Sequence, residues 1–261
     1  MEHSAPAGQP EPGQAFGRYH IVRLLGRGGM GAVYEATHLD LKKRVALKTL
    51  HPEWAALDEA RVRFLREGEA ASRIRHPHVV DVTDVGTVGS VPYLVMEYLE
   101  GESMADFVER RGALPYQEAV DLMFPVLSAV QAGHDAGVIH RDLKPANVFL
   151  ERGRRGDVSP KVLDFGVSKL TVEGSTGMTG TGAILGTVSY MSPEQARGAK
   201  QVDARSDEYA LALVLFELLT GRRAHPGENP LSVLHSISSG RFELPRTLRP
   251  DLPPELEAAL L

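Results

Sequence analysis

Between Tyr19 and Leu50 the apolar residues come in three short runs, Ile21–Leu25, Ala32–Ala36 and Val45–Leu50, with β-branched side chains in each and turn material such as His38–Lys43 between. That pattern predicts an antiparallel meander. From Asp58 to Arg75 the spacing changes: Val62, Leu65 and Ile74 read as the inward residues of a helix with a heavily charged face, broken by Pro77. Two more strands are predicted near Val79–Val85 and Tyr93–Glu97, and beyond Gly101 the pattern turns helical. The helix over Tyr116–Gly133 contains Pro125, which should kink or split it, since a mid-helix proline costs roughly 3 kcal/mol. Ala210–Leu219, the longest apolar stretch, is about half of the roughly 20 residues a bilayer span needs and carries Glu217, so it reads as a buried helix. Residues 1–16 are rich in Pro, Gly, Ala and Gln without any period, which predicts a disordered lead-in with order beginning near Gly17.

Composition narrows the chemistry. With 261 residues, 43% hydrophobic and 24% charged, the chain suits a soluble protein with one large domain or two lobes. It has no cysteine, which removes disulfides, thiolate catalysis and cysteine-ligated metals. A net charge of −5 argues against a nucleic-acid partner. No basic segment leads into an apolar one at the N-terminus, so no secretory signal is read. The expectation is a cytoplasmic protein with no membrane segment in this chain, or a membrane-tethered one where the natural chain continues past residue 261.

Residues Gly26–Val33 spell GRGGMGAV, a Gly-x-Gly-x-x-Gly spacing that two unrelated phosphate-binding solutions share: the dinucleotide turn and the flap over ATP in protein kinases. A dinucleotide site needs the third glycine to open a helix. Here the glycines run into AVYEATHLDLKKRVALK, which reads strand, turn, strand, so the loop joins antiparallel strands as a flap. Gly26, Gly28 and Gly31 are expected to let backbone N–H groups approach phosphate without a Cβ in the way, and to permit positive φ where the flap bends.

In order along the chain follow VALK (Val45–Lys48), Glu67 in the charged helix, HRDLKPAN (His140–Asn147), DFG (Asp164–Gly166), SPE (Ser192–Glu194) and DARSDEYALALVLFELLTG (Asp203–Gly221). From about Gly17 to its last residue the chain resembles the eukaryotic-type protein kinases, and SPEQARG with the short linkers looks closest to the bacterial serine/threonine members. The resemblance implies an α+β, bilobal fold: an N-lobe over residues 17–96 with a small antiparallel sheet and one helix, a hinge over 97–101, and a larger, mainly helical C-lobe over 102–261. It also implies ATP and Mg²⁺, protein substrates offering Ser or Thr hydroxyls, and self-association for autophosphorylation in trans.

The implied roles follow the chemistry of phosphoryl transfer, which is mainly placement and charge neutralisation. Lys48 would pair with the α- and β-phosphates, held by a helix carboxylate. Glu67 and Glu69 are both candidates, and Glu67 is preferred because its nine-residue spacing before His76 matches similar bacterial kinases. Asp142 would orient the substrate hydroxyl, and Lys144 would neutralise the γ-phosphate and mark serine/threonine specificity. Asn147 and Asp164 would supply oxygens to two Mg²⁺ ions. Leu25, Val33, Ala46 and Phe149 would close on adenine, Met96 would border the pocket, and Glu97 and Leu99 would offer backbone hydrogen bonds at the hinge. The enlarged basic turn within Glu151–Pro160 reads as a solvated hairpin, with docking of an acidic partner as the sharper alternative.

Between Asp164 and Glu194 lies a glycine-rich polar stretch that resembles an activation segment. A guanidinium at Arg141 would gain a partner from a phosphothreonine there. Thr179 and Thr181 are the candidates, with Thr176 behind them, and Thr187 would sit between Asp142 and Lys144 as a structural hydroxyl. Asp207 is expected to accept hydrogen bonds from the catalytic-loop backbone. The family continues through further helices, one bearing an arginine that pairs with the glutamate of SPE, so Glu194 is expected to lack its partner and the C-terminal helices to be truncated. The reading is a serine/threonine protein kinase. A catalytically silent nucleotide-binding scaffold is the alternative, and a small-molecule kinase is disfavoured by the GT…SPE segment.

Overall fold

The three apolar runs between Tyr19 and Leu50 become three consecutive strands, and the first half of the molecule is built on them. The computed structural model describes residues 9–153, 156–165, 186, 188–199, 202–225, 227 and 229–261. Two compact units form, one from residues up to Arg75 together with Val80–Glu100, the other from His76–Val79 with Gly101–Leu261.

In the first unit, β1 (Ala15–Phe16), β2 (Tyr19–Arg27), β3 (Gly31–His38), β4 (Arg44–Leu50), β5 (Val82–Val88) and β6 (Val91–Glu97) make one antiparallel sheet in the order β1-β2-β3-β4-β6-β5. Because side chains alternate across a strand, Tyr19, Ile21, Tyr34, Leu47, Tyr93 and Val95 bury one face. Val33, Ala46, Lys48, Leu94 and Met96 fall on the other, with Val33 paired to Lys48, Ala46 to Met96 and Lys48 to Leu94. The helix α2 (Asp58–Ala71) packs against β5 and β6, preceded by the single turn α1 (Pro52–Ala55).

Three expectations change here. Order starts before Gly17: the Gln9 side chain donates to the Leu50 carbonyl at 3.2 Å, and Phe16 is buried edge-on to Tyr93 with ring centroids 5.8 Å apart. A polar amide and one aromatic anchor a stretch that composition alone reads as disordered. The helix ends at Ala71 rather than Arg75, and Val62 is 45% exposed rather than inward. The buried stripe runs Ala60, Phe64, Gly68, Ala71; at about 100° per residue Val62 points about 200° away from Ala60. Gly68 is required at the contact, since a Cβ there would lie 2.1 Å from Leu94 Cδ2. Finally, β5 starts at Val82, because Val79 bridges Val162 in the second unit and Val162 N–H donates to the His78 carbonyl at 2.8 Å.

The second unit is mainly helical, with a small sheet of β7 (Gly101–Ser103), β8 (Val148–Arg152) and β9 (Val158–Val162). Strands this short carry little period, which is why the pattern past Gly101 reads as mainly helical; the hairpin expected within Glu151–Pro160 is present as the antiparallel pair β8–β9. The helices are α3 (Met104–Arg111), α4 (Tyr116–Asp135), α5 (Pro193–Ala196), α6 (Ala204–Thr220), α7 (Pro230–Ser238), α8 (Pro245–Leu248) and α9 (Pro254–Leu260). Pro125 does not split α4, which runs unbroken through it. The carbonyl it strands belongs to Asp121, an exposed residue that water can serve, while Ala119, Met123, Val126, Ala129, Val130 and Gly133 keep a continuous buried stripe. The apolar run at Ala210–Leu219 is the buried body of α6, capped by Asp203, whose side chain accepts from the Arg205 N–H, and closed by Gly221 at φ 68°. Among the described residues no helix is long and apolar enough to cross a membrane.

Candidate active site

The loop His140–Asn147 is held by a buried carboxylate. Asp207, in the first turn of α6 and 0% exposed, accepts from His140 N–H and Arg141 N–H at 2.8 Å each and meets His134 Nε2 at 2.8 Å. This is the role expected of it. The Arg141 carbonyl accepts from Gln195 Nε2 at 2.8 Å, so Arg141 is fixed on both sides in a left-handed conformation, φ 68°. His140, fully buried, joins its Nε2 to the Leu163 carbonyl at 2.7 Å and packs on Phe165, with ring centroids 4.9 Å apart. Phe165 in turn lies against α4 at Gly133, where a Cβ would come within 2.3 Å of its ring. Asp164, between them, also takes positive φ, 57°.

On this frame Asp142, Lys144 and Asn147 come together. Lys144 Nζ reaches the Asp142 carboxylate at 3.1 and 2.9 Å, and Asn147 Nδ2 donates to the Asp142 carbonyl at 2.7 Å and its carboxylate at 3.1 Å. The Asn147 carbonyl accepts from Leu163 N–H at 2.8 Å, tying this loop to the strand end that carries Asp164. With its amide nitrogen committed to Asp142, Asn147 presents Oδ1, the atom suited to a hard cation. No cluster of three or more His, Cys, Asp or Glu side chains forms among the described residues. One carboxylate, one amide oxygen and substrate phosphates are a donor set that fits magnesium, which keeps waters and phosphate oxygens as ligands.

In the first unit, Lys48 on β4 and Glu67 on α2 meet the same surroundings: Leu94 is the cross-strand neighbour of Lys48 and also fills the space over Gly68, beside Glu67. Glu67 is half-buried with both carboxylate oxygens out of solvent, whereas Glu69 is exposed. Met96 is buried and Ala46 nearly so, Val33 is half-buried, and Leu25 is exposed beside a register shift between Leu24 and Gly26. Leu99 is half-buried, and the Glu97 N–H donates to the Asp81 carbonyl at 3.0 Å. Phe149, on β8 of the second unit, is half-buried.

The glycines behave differently from expectation. None of Gly26, Gly28 and Gly31 adopts positive φ. Gly31 is demanded by its neighbour strand, since a Cβ would lie 1.9 Å from the Thr49 carbonyl oxygen, while a Cβ at Gly26 would meet open space and one at Gly28 only an ordinary contact, 3.8 Å from the Gly31 carbonyl oxygen. Gly31→Ala is therefore expected to force β3 and β4 apart at the flap and to destabilise the chain by about 1–3 kcal/mol, read as a lower midpoint in urea; an unchanged midpoint would mean the strands part freely.

Ser192 of SPE is fully buried and caps α5 in a reciprocal box with Gln195. The Ser-x-x-Gln spelling of that box is the signal in the sequence for Gln195 as a support of the His140–Asn147 loop. Glu194 is not left alone: it accepts from the Ser206 hydroxyl. Burial pushes its carboxyl up, but the Ser206 and Ser192 hydroxyls, its own backbone and Arg197 together hold it below the usual carboxylate range. The Arg141 Nε is buried with no hydrogen-bond partner among the described residues. Thr176, Thr179, Thr181 and Thr187 lie outside the described residues, as do Arg154 and Arg155 of the basic turn.

Residues 19–257 match the protein kinase domain model. The chain is 39% identical over 247 residues to the serine/threonine-protein kinase PrkC of Bacillus subtilis, covering 94% of this chain and 37% of that one. To the probable serine/threonine-protein kinase PknB of Corynebacterium glutamicum it is 42% identical over 222 residues, 84% of this chain and 34% of the relative. It thus spans well under half the length of these curated relatives. Among solved structures, the Mycobacterium tuberculosis PknI kinase domain superposes with a TM-score of 0.71 at 32% identity, covering 97% of this chain and 92% of that one. The motifs in order, the two units and the buried support of the catalytic loop agree with these matches: the chain belongs to the protein kinase domain family.

Proposed function

We propose that this chain transfers the γ-phosphate of ATP to Ser or Thr hydroxyls of proteins. The observation that carries the reading is the Asp142 carboxylate gripped by Lys144 Nζ at 2.9 Å and Asn147 Nδ2 at 3.1 Å. A carboxylate held this way accepts a hydrogen bond from a substrate hydroxyl and aims its oxygen, while the Lys144 ammonium stands ready for the charge of the migrating phosphoryl group. In the first unit, Lys48 takes α- and β-phosphate charge with Glu67 holding its ammonium. Val33, Ala46 and Met96, which share one sheet face, together with Leu25 give adenine apolar surroundings from the first unit, backbone groups of Glu97 and Leu99 orient it, and Phe149 is the candidate the second unit offers for the same role. Bound magnesium would neutralise phosphate charge, with Asp164 and Asn147 supplying its protein oxygens. The names of the relatives, serine/threonine-protein kinases, support the hydroxyl class.

Arg141, with its buried Nε, is the group a phosphothreonine at Thr179 or Thr181 would satisfy, and Thr187 remains the candidate structural hydroxyl between Asp142 and Lys144. In this reading two copies phosphorylate each other in the cytoplasm. The test is incubation with γ-labelled ATP and Mg²⁺: label is expected in the chain and in an added Ser/Thr substrate. Changing Thr179 and Thr181 together to Ala is expected to remove the phosphosites from that segment and lower activity about tenfold, the scale of one or two charge-assisted bonds. No label in either protein despite measurable nucleotide uptake would leave a silent nucleotide-binding scaffold; full activity of the double variant would dismiss the arginine-pairing account.

A further inference from the structure

The tip of the glycine flap, residues 28–30 between β2 and β3, is tied to one short segment that the kinase motifs do not include. Three successive carbonyls are taken. Gly28 O meets His51 Nε2 at 2.9 Å, Gly29 O accepts from the Trp54 indole Nε1–H at 3.3 Å, and Met30 O accepts from His51 N–H at 2.7 Å. The turn itself closes with Gly28 N–H donating to Gly31 O at 2.8 Å. A second link lies behind the first: Gln9 Nε2 stands 3.0 Å from His51 Nδ1 and 3.2 Å from the Leu50 carbonyl. An amide NH₂ only donates, so Nδ1 is the acceptor and the proton resides on Nε2, where the Gly28 carbonyl needs it.

The consequence follows from peptide planarity. In a trans peptide the carbonyl of one residue and the N–H of the next point in opposite directions. With the Gly28 and Gly29 carbonyls turned toward His51 and Trp54, the N–H groups of Gly29 and Met30 face the opposite way. Neither makes a hydrogen bond among the described residues. Two adjacent amides presented together suit an anion.

We propose that His51 and Trp54 are positioning residues for the nucleotide, latching the flap by its carbonyls so that the Gly29 and Met30 amides are set toward phosphate, with Gln9 fixing the imidazole tautomer. This rests on the kinase reading above. Neither side chain touches substrate in this account; both act through the flap. They should therefore change nucleotide affinity and spare the chemical step.

Trp54 is the only tryptophan in the chain and donates to the flap itself, so its emission reports the latch directly. The experiment titrates the full chain with Mg·ATP and with Mg and a non-hydrolysable ATP analogue, by tryptophan emission and by calorimetry, and measures KM for ATP and kcat on a peptide. The wild type is expected to show a saturable change in Trp54 emission that follows calorimetric binding. His51→Ala is expected to raise Kd and KM for ATP about fivefold, the loss of roughly one hydrogen bond, with kcat within about twofold. His51→Gln, whose amide can still donate to Gly28 O, should recover most of that loss. Trp54→Phe, read by calorimetry, and Gln9→Ala, with the smaller effect, should shift affinity in the same direction. Should His51→Ala misfold, the Trp54→Phe and Gln9→Ala pair decides the matter. Unchanged nucleotide affinity in folded His51→Ala and Trp54→Phe, or a fall in kcat at constant KM, would overturn the proposal while leaving the kinase reading intact; a wild-type chain that binds no Mg·ATP would instead overturn the kinase reading and this inference with it.

Discussion

Asp142→Asn is expected to lower phosphoryl transfer to a Ser/Thr peptide by on the order of 10²-fold or more while leaving the affinity for Mg·ATP within a few-fold of wild type. The substitution keeps the side chain's shape, and the amide can still accept from Lys144 through its remaining oxygen. The change is confined to charge and basicity. An anionic oxygen draws the substrate hydroxyl proton and holds the attacking oxygen on line. A neutral amide accepts more weakly, and half its surface becomes a donor that faces Lys144 and Asn147 Nδ2, both of which are donors themselves. The loss belongs in kcat, because the hydroxyl is oriented only as the transfer proceeds. Steady-state kinetics beside calorimetric nucleotide binding separate the two parameters. A variant that turns over at near-wild-type kcat would show that Asp142 merely supports the loop.

The second large effect is on stability. Asp207→Ala removes an acceptor fully buried beneath the catalytic loop and strands two main-chain donors, His140 N–H and Arg141 N–H, along with the contact to His134. Bonds to a charged acceptor contribute about 1.5–3 kcal/mol each, and the stranded donors then stay buried without water. The expected cost is about 3–5 kcal/mol, or a fall in Tm of roughly 10 °C for a domain of this size. Asp207→Asn, which retains one acceptor oxygen, should fall between. Thermal melts by circular dichroism measure both, and a loss under about 2 °C would mean that the loop is held elsewhere, for instance through Gln195 and the Arg141 carbonyl. Catalysis should fall with stability in this variant, since Arg141 keeps its left-handed conformation only while both of its flanking peptide groups are held.

The longer elements could be read from the chain because each carries its own local run or period of apolar residues, bounded by turn or capping residues. The meander from Tyr19 to Leu50, the helix around Glu67 and the apolar helix ending at Gly221 all follow that rule. Where the reading failed, a contact remote in the chain had overruled local pattern. Phe16 orders a stretch of low apparent complexity because Tyr93, far along the chain, offers its ring. Val62 points outward because the direction of the sheet against α2, and the tight fit of Gly68 on Leu94, settle which stripe is buried. Pro125 leaves α4 whole because the stripe beneath it is continuous and the carbonyl it strands is on the wet side.

By itself, the order of GRGGMGAV, VALK, HRDLKPAN, DFG and SPE determined which candidate groups the proposed phosphoryl transfer can draw on and how far apart they lie along the chain, since residue type and spacing are properties of the covalent chain. Only the tertiary structure decided how those groups are held. It joined Gln195 and Asp207 to the two sides of Arg141, and it hung the flap carbonyls on His51 and Trp54. The physical reason is that a hydrogen bond depends on distance and direction in space, and partners 25, 54 or 66 residues apart leave no local period in a sequence to announce them.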